Sequence, residues 1–238
     1  MLRLLALTLA LVMSGCQPNF GTLLNNEEQQ ATRSVKQQMN KLNEALLTAV
    51  NKGDKDAITK LLAEGADIDA TDERGRTSAM IAVHTKQLAV FNLLVEKGAN
   101  INIRDDRSDN PLLYAGAEGL LDFVKASIAA GADTKITNRF GGTALIPAAD
   151  RGHVDIVEEL LKTSDVNIDH VNNLGWTALL EAVLLGDGGS KHQAIVKLLI
   201  EHGANVNLAD SKGVTPLQHA QSRGYREMVQ ALTAAGAK

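Results

Sequence analysis

The chain has 238 residues, with 24 Lys and Arg against 28 Asp and Glu, six His and a single Cys. A formal net charge of -4 argues against a nucleic-acid partner, since neutralising phosphates needs a basic patch, and none is expected. One thiol can neither close an intrachain disulfide nor build a cysteine-rich metal site.

Residues 1–15 carry one charge, Arg3, then an apolar run over 4–13 and the small pair Ser14 and Gly15 directly before Cys16. That order is a secretory signal peptide, and its apolar run is about half the roughly 20 residues a membrane-spanning helix needs. Met13, Ser14, Gly15 and Cys16 resemble the lipobox of bacterial lipoproteins, with Met13 where leucine is commoner. The resemblance implies a lipid joined to the Cys16 sulfur, cleavage before it and acylation of the new amino end. Two or more acyl chains anchor stably where one is marginal, so Cys16 would be the membrane anchor rather than a catalyst. The alternative is an ordinary secreted protein with an incidental cysteine. Gln17, where inner-membrane lipoproteins carry aspartate, implies sorting to the outer membrane, facing the periplasm, if the source is Gram-negative. Cleavage would remove Arg3 and leave 223 residues with a formal charge of -5.

Residues 16–41 are rich in Gln, Asn and charge and poor in large apolar side chains. The first part reads as a flexible tether, because little apolar surface offsets the entropy of ordering it. From about Glu27 the absence of Gly and Pro permits a polar linker helix.

From about residue 42 to the end the chain repeats itself, in approximate copies at 42–71, 72–104, 105–137, 138–171, 172–209 and 210–238. Thr or its substitute recurs at Thr77, Asn110, Thr143, Thr177 and Thr215, at separations of 33, 33, 34 and 38. The following cores read "TSAMIA", "NPLLYA", "TALIPA", "TALLEA" and "TPLQHA", each leading to a glycine turn and an apolar helix. The opening copy has the helices and no turn motif. These strings resemble the ankyrin repeat, whose unit is about 33 residues with a T-P-L-H-x-A core. The resemblance implies an all-α solenoid of about six helix-turn-helix units with β-turn fingers.

Within one copy, Thr77 caps the first helix, and its equivalents are expected to do the same. Ala79, Ala82 and Val83 share one face, small enough for neighbouring helices to approach, while Leu88, Phe91, Leu94 and Val95 form the apolar stripe of the second helix. Gly98 ends that helix by taking the left-handed conformation without steric cost. No copy can enclose its own apolar face, so stacked neighbours must build one continuous core, with Arg226, Glu227 and Gln230 on the outer side of the last helix. Pro147 lies close enough to a helix start to remove few backbone bonds. An extra residue near Ser164 lengthens one turn. The Gly-rich stretch 184–193 does not fit a phosphate-binding loop and reads as an exposed insertion between helices.

No enzyme is expected, and no cofactor, metal or small-molecule substrate. The histidines are scattered without metal-ligand spacing; His153 reads as a turn hydrogen-bond partner. Glu158 and Glu159 point to different faces of one helix, and there is no G-x-S-x-G elbow. Binding of another protein is the leading reading. In ankyrin repeats the contacting residues lie in the finger turns and near the end of the first helix. Carried to this chain, they include Arg74, Arg76, Arg107, Arg139 and Arg151 and an apolar group, Phe140, Leu174, Trp176, Leu184 and Leu185. Clustered large apolar residues at exposed positions suit a binding hot spot, and the competing reading packs Trp176 and Leu184 as local core. Three functions follow in order: an envelope adaptor or inhibitor of another exported protein, a self-associating envelope scaffold, and, last, an enzyme with an unrecognised site.

Overall fold

The computed structural model describes residues 20–238, with side chains from residue 29 onward. Cys16, its lipobox and the start of the tether lie outside the described residues. Among those described there are twelve α-helices and no strand beyond one isolated bridge, Thr71 to Thr77. None is long and apolar enough to cross a membrane. The chain divides into two units, Met1–Asn40 and Lys41–Lys238.

In the first unit the described residues belong to α1, Phe20–Lys52, and side chains 29–40 are all exposed. This helix begins earlier than the Glu27 expected, because no proline interrupts the run after Phe20. In the second unit the end of α1 buries Leu46, Ala49 and Val50 and serves as the first helix of the opening copy, followed by α2, Lys55–Ala63. Five helix pairs follow: α3 (Ser78–His84) with α4 (Leu88–Glu96), α5 (Pro111–Glu118) with α6 (Leu121–Ala129), and α7 (Leu145–Asp150) with α8 (Val154–Thr163). The last two are α9 (Ala178–Leu184) with α10 (Ser190–Glu201) and α11 (Pro216–Arg223) with α12 (Arg226–Ala234). From α3 onward, first helices pack on first helices and second on second in chain order.

One core runs through the stack. The alanine that closes each repeated string, Ala82, Ala115, Ala148, Ala182 and Ala220, is completely buried, since any larger group there would force adjacent first helices apart. Second helices supply the bulk, among them Phe91, Leu94, Ile156, Leu160, Ile195 and Leu199. Phe91 meets Phe123 edge to face at 5.7 Å.

Thr77, Asn110, Thr177 and Thr215 each accept the backbone N–H three residues on, at 3.3, 2.9, 3.2 and 3.3 Å. Thr143 does not: α7 starts two residues later and the Thr143 hydroxyl is buried without a partner. The cause is Pro147. It has no N–H to give the Thr143 carbonyl, so the Ile146 N–H turns to that carbonyl at 3.2 Å and abandons the side chain.

Each finger is closed by one side chain. Asp72, Asp105, Asn138, Asn172 and Asp210 each accept, on Oδ1, the backbone N–H groups two and four residues ahead, at 2.9 to 3.1 Å. Adjacent fingers join where the Asp106 N–H meets the Arg74 carbonyl and the Asn173 N–H meets that of Phe140. Repeats are also laced by an Asn/Asp ladder. Asn43, Asp69, Asn102, Asp169 and Asn207 receive the backbone N–H groups of Asp67, Asn100, Asp133, Asn205 and Lys238, at 2.8 to 2.9 Å.

A second set of clips sits at the start of the second helices. The Gln87 amide donates to Val50 and Asn51 carbonyls, His153 Nε2 meets the Ala117 carbonyl at 3.1 Å, His192 Nε2 meets that of Asp150 at 2.9 Å, and the Tyr225 hydroxyl donates to Gly186. The His153 bond therefore reaches the preceding repeat and not its own turn. Ser164 replaces the glycine that ends other second helices: it stays extended and its hydroxyl donates to the Leu160 carbonyl at 2.6 Å. The expected insertion loop is shorter than 184–193, because residues without a helix breaker after Gly189 lengthen α10 instead.

Candidate functional site

The finger turns and first helices of the second to fifth copies enclose a cavity of about 290 Å³. Phe140, Leu174 and Leu185 stand on it while roughly half exposed, at 54, 53 and 52%. Ile146 and Pro147 of α7 line its wall. Arg107, Arg139 and Arg151 also border it, so six of the residues named from the sequence come together here. Trp176 and Leu184 are half-buried and do not line it. Arg74 is exposed on its finger, and Arg76 is tied to Asp72 by contacts of 2.6 and 2.8 Å. Burial would raise the Asp72 carboxyl, but hydrogen bonds from Arg76 and the turn outweigh it and hold the group below its ordinary value.

Two of the three arginines around the cavity, Arg151 and Arg139, are already engaged. Arg151 Nη1 donates to the Glu118 carboxylate and to the Ala117 carbonyl, each at 2.7 Å. Arg139 lies over the Phe140 ring, 4.5 Å from its centre, which rigidifies an apolar face with a cation attached. Burial and the adjacent Asp105 push Asp109 upward, against the pull of Arg139, Arg107 and Arg151. At this end His84 lies against Tyr114 with ring centres 3.9 Å apart and planes tilted by 38°; burial, then Arg76, hold the imidazole below its ordinary value, and its Nε2 has no partner.

The opposite end is built on Glu181. Its side chain is 5% exposed, and Oε1 accepts a 2.8 Å hydrogen bond from the amide of the finger residue Asn172. Burial, then the like charge of Asp150, push its carboxyl up to about 7, against the Asn172 bond. Sequence reasoning did not single out Glu181, Asn172, Asp105 or Tyr114. A signal was present: Glu181 occupies the place held in other copies by Ile81, Tyr114, Pro147 and His219, an inward position where a carboxylate is out of keeping.

The remaining histidines hold structure. His170 Nε2 meets the Gly141 carbonyl at 2.7 Å, His202 Nδ1 the Leu198 carbonyl at 2.9 Å, and His219 Nε2 the Asp210 carboxylate at 2.8 Å. Glu158 pairs with Lys162 on its own helix, and Glu159 lies 3.9 Å from Lys125.

Residues 8–105, 112–210 and 187–238 match the family model for ankyrin repeats in three copies. A putative ankyrin repeat protein of Escherichia coli K12, YahD, is 43% identical over 191 residues, covering 80% of this chain and 95% of the relative. The crystal structure of an ankyrin repeat domain from Acinetobacter baumannii AYE superposes with a TM-score of 0.78 at 51% identity, over 81% of this chain and 98% of that one. The ankyrin repeat domain of Bcl-3, described as a member of the IkappaB protein family, gives 0.74 at 28% identity, over 82% and 86%. Ankyrin repeats are protein-interaction modules, and no catalytic family is indicated. With its repeated capped helix pairs, its finger turns and these matches, the chain belongs to the ankyrin repeat family.

Proposed function

We propose that this protein is a lipid-anchored binding module of a bacterial cell envelope, which holds or inhibits another exported protein through the face made by its fingers and first helices. The observation that carries the binding surface is the group Phe140, Leu174 and Leu185, exposed side by side on one cavity in a stack whose other large side chains are mostly buried. Leaving such a group in water is unfavourable unless a partner covers it. The anchor rests on the order of residues around Cys16, and similarity to bacterial ankyrin proteins is in keeping with that source.

The test has two arms. Metabolic labelling with a radioactive fatty acid should mark the wild type and not Cys16→Ala, and equal labelling would remove the anchor. Crosslinking in intact envelopes should capture one exported protein with the wild type and lose it with the triple variant Phe140→Ser, Leu174→Ser, Leu185→Ser, whose exposed sites leave the core intact. Capture of the same set by both would refute the surface, and capture of the chain by itself would favour the scaffold.

A further inference from the structure

The cavity has two chemically different ends, and the Glu181 end lacks a cation. In the sixth copy the finger carboxylate Asp210 pairs with His219 of α11, acid on the turn and base on the helix. In the fifth copy the same two places hold Asn172 and Glu181, so the acid sits on the helix and faces an amide. The amide satisfies one carboxylate oxygen. The other accepts no hydrogen bond among the described residues, on a side chain 95% buried that lines the cavity. The charged group facing it from α7 is Asp150, of like sign, while His219 on α11 is already taken by Asp210. Arg151 is spent on Glu118, and Arg139 stacks on Phe140. A buried carboxylate is stable as an anion only when paired, so this end is complementary to a positive charge.

We propose that the Glu181 end of the cavity receives the ammonium group of a lysine side chain presented by the protein partner. Its methylene stem lies along Ile146, Pro147, Leu174 and Leu185, and its charge sits between Glu181 and Asp150. The inference rests on the reading of this face as a protein-binding surface and names what it selects. A cavity of about 290 Å³ lies just below the range of about 300–1,000 Å³ usual for drug-sized ligands, and suits a single side chain. Lysine is favoured over arginine because Glu181, with one oxygen held by Asn172, cannot take both arms of a planar guanidinium fork, whereas a compact point donor can sit between its free oxygen and Asp150. The Glu181 and Asp150 carboxylates replace part of the hydration of the ammonium, and the aliphatic wall covers the stem.

The probe is Nα-acetyl-lysine methylamide, with the norleucine and arginine analogues as controls, titrated into the full chain carrying ¹³C-labelled glutamate and leucine. The lysine compound should give saturable shifts of the Glu181 carboxyl and Leu185 methyl signals in the millimolar range. It should also move the Glu181 titration midpoint downward, because bound cation favours the ionised form. Glu181→Gln and Asp150→Asn should each weaken binding about tenfold or more, and the second variant leaves Glu181 itself in place. Norleucine binding as well as lysine, arginine binding more tightly, or no saturable shift at all would each overturn the proposal. If the serine variant abolishes capture of a partner and the lysine probe fails, the binding face stands and the ammonium site falls. If the probe binds and no partner is captured, the site stands and the envelope reading falls.

Discussion

Thr143 and Thr177 occupy the same place in successive repeats and should respond oppositely to the same substitution. Valine keeps the branched shape of threonine and removes only the hydroxyl. At Thr177, 2% exposed, that hydroxyl accepts the Leu180 N–H at 3.2 Å, so Thr177→Val removes a cap and leaves a buried donor unpaired. Losing such a cap costs about 1 kcal/mol, and the orphaned donor extends this to roughly 2 kcal/mol. At Thr143, 1% exposed, the hydroxyl is buried and bonded to nothing, so Thr143→Val removes an unsatisfied polar group and should be neutral or stabilising by up to about 1 kcal/mol. In a domain of this size 1 kcal/mol moves the melting temperature by about 2–4 °C. Thermal melts by circular dichroism, with urea unfolding as a second measure, should therefore show Thr177→Val lowered by several degrees and Thr143→Val unchanged or raised. Equal losses for the two variants would refute the argument that Pro147 diverts the cap.

Two further outcomes follow from named contacts. Gly119 ends α5 at φ 70°, and a Cβ there would come within 2.8 Å of the His153 ring, so Gly119→Ala should cost more than about 1 kcal/mol in urea unfolding and weaken the His153 clip to Ala117. Glu181 binds its proton more tightly when folded than when unfolded, being raised from 4.5 to about 7. Its contribution is complete below pH 4.5 and is lost as pH rises through about 7, so Glu181→Gln should flatten that decline across the window, and parallel pH–stability curves would contradict it.

Much of the architecture was legible as a period. The spacing of Thr77, Asn110, Thr143, Thr177 and Thr215 placed the first helices, and the alanine five residues after each marked where helices touch. Less legible was the finger chemistry. Asp72, Asp105, Asn138, Asn172 and Asp210 sit at a constant place before each core, yet their double acceptance from the turn appears only once the backbone is closed. The apolar residues named for binding were divided by the fold: Phe140, Leu174 and Leu185 converge on one cavity, and Trp176 and Leu184 do not line it. Their separation along the chain gave no sign of that division, because adjacent residues in a helix or turn point in different directions.

The sequence by itself determined the repeat, its helix pairs and the continuity of the core, because these depend on local spacing and on small side chains that recur at one register. Only the tertiary structure decided which hydroxyl caps its helix, which carbonyl His153, His170 and His192 each reach, and that Glu181 stands buried against Asn172 and Asp150. These features join residues from different repeats or turn on one missing N–H. Their energies are set by burial and direction, and neither is written in the order of residues until neighbouring repeats have packed.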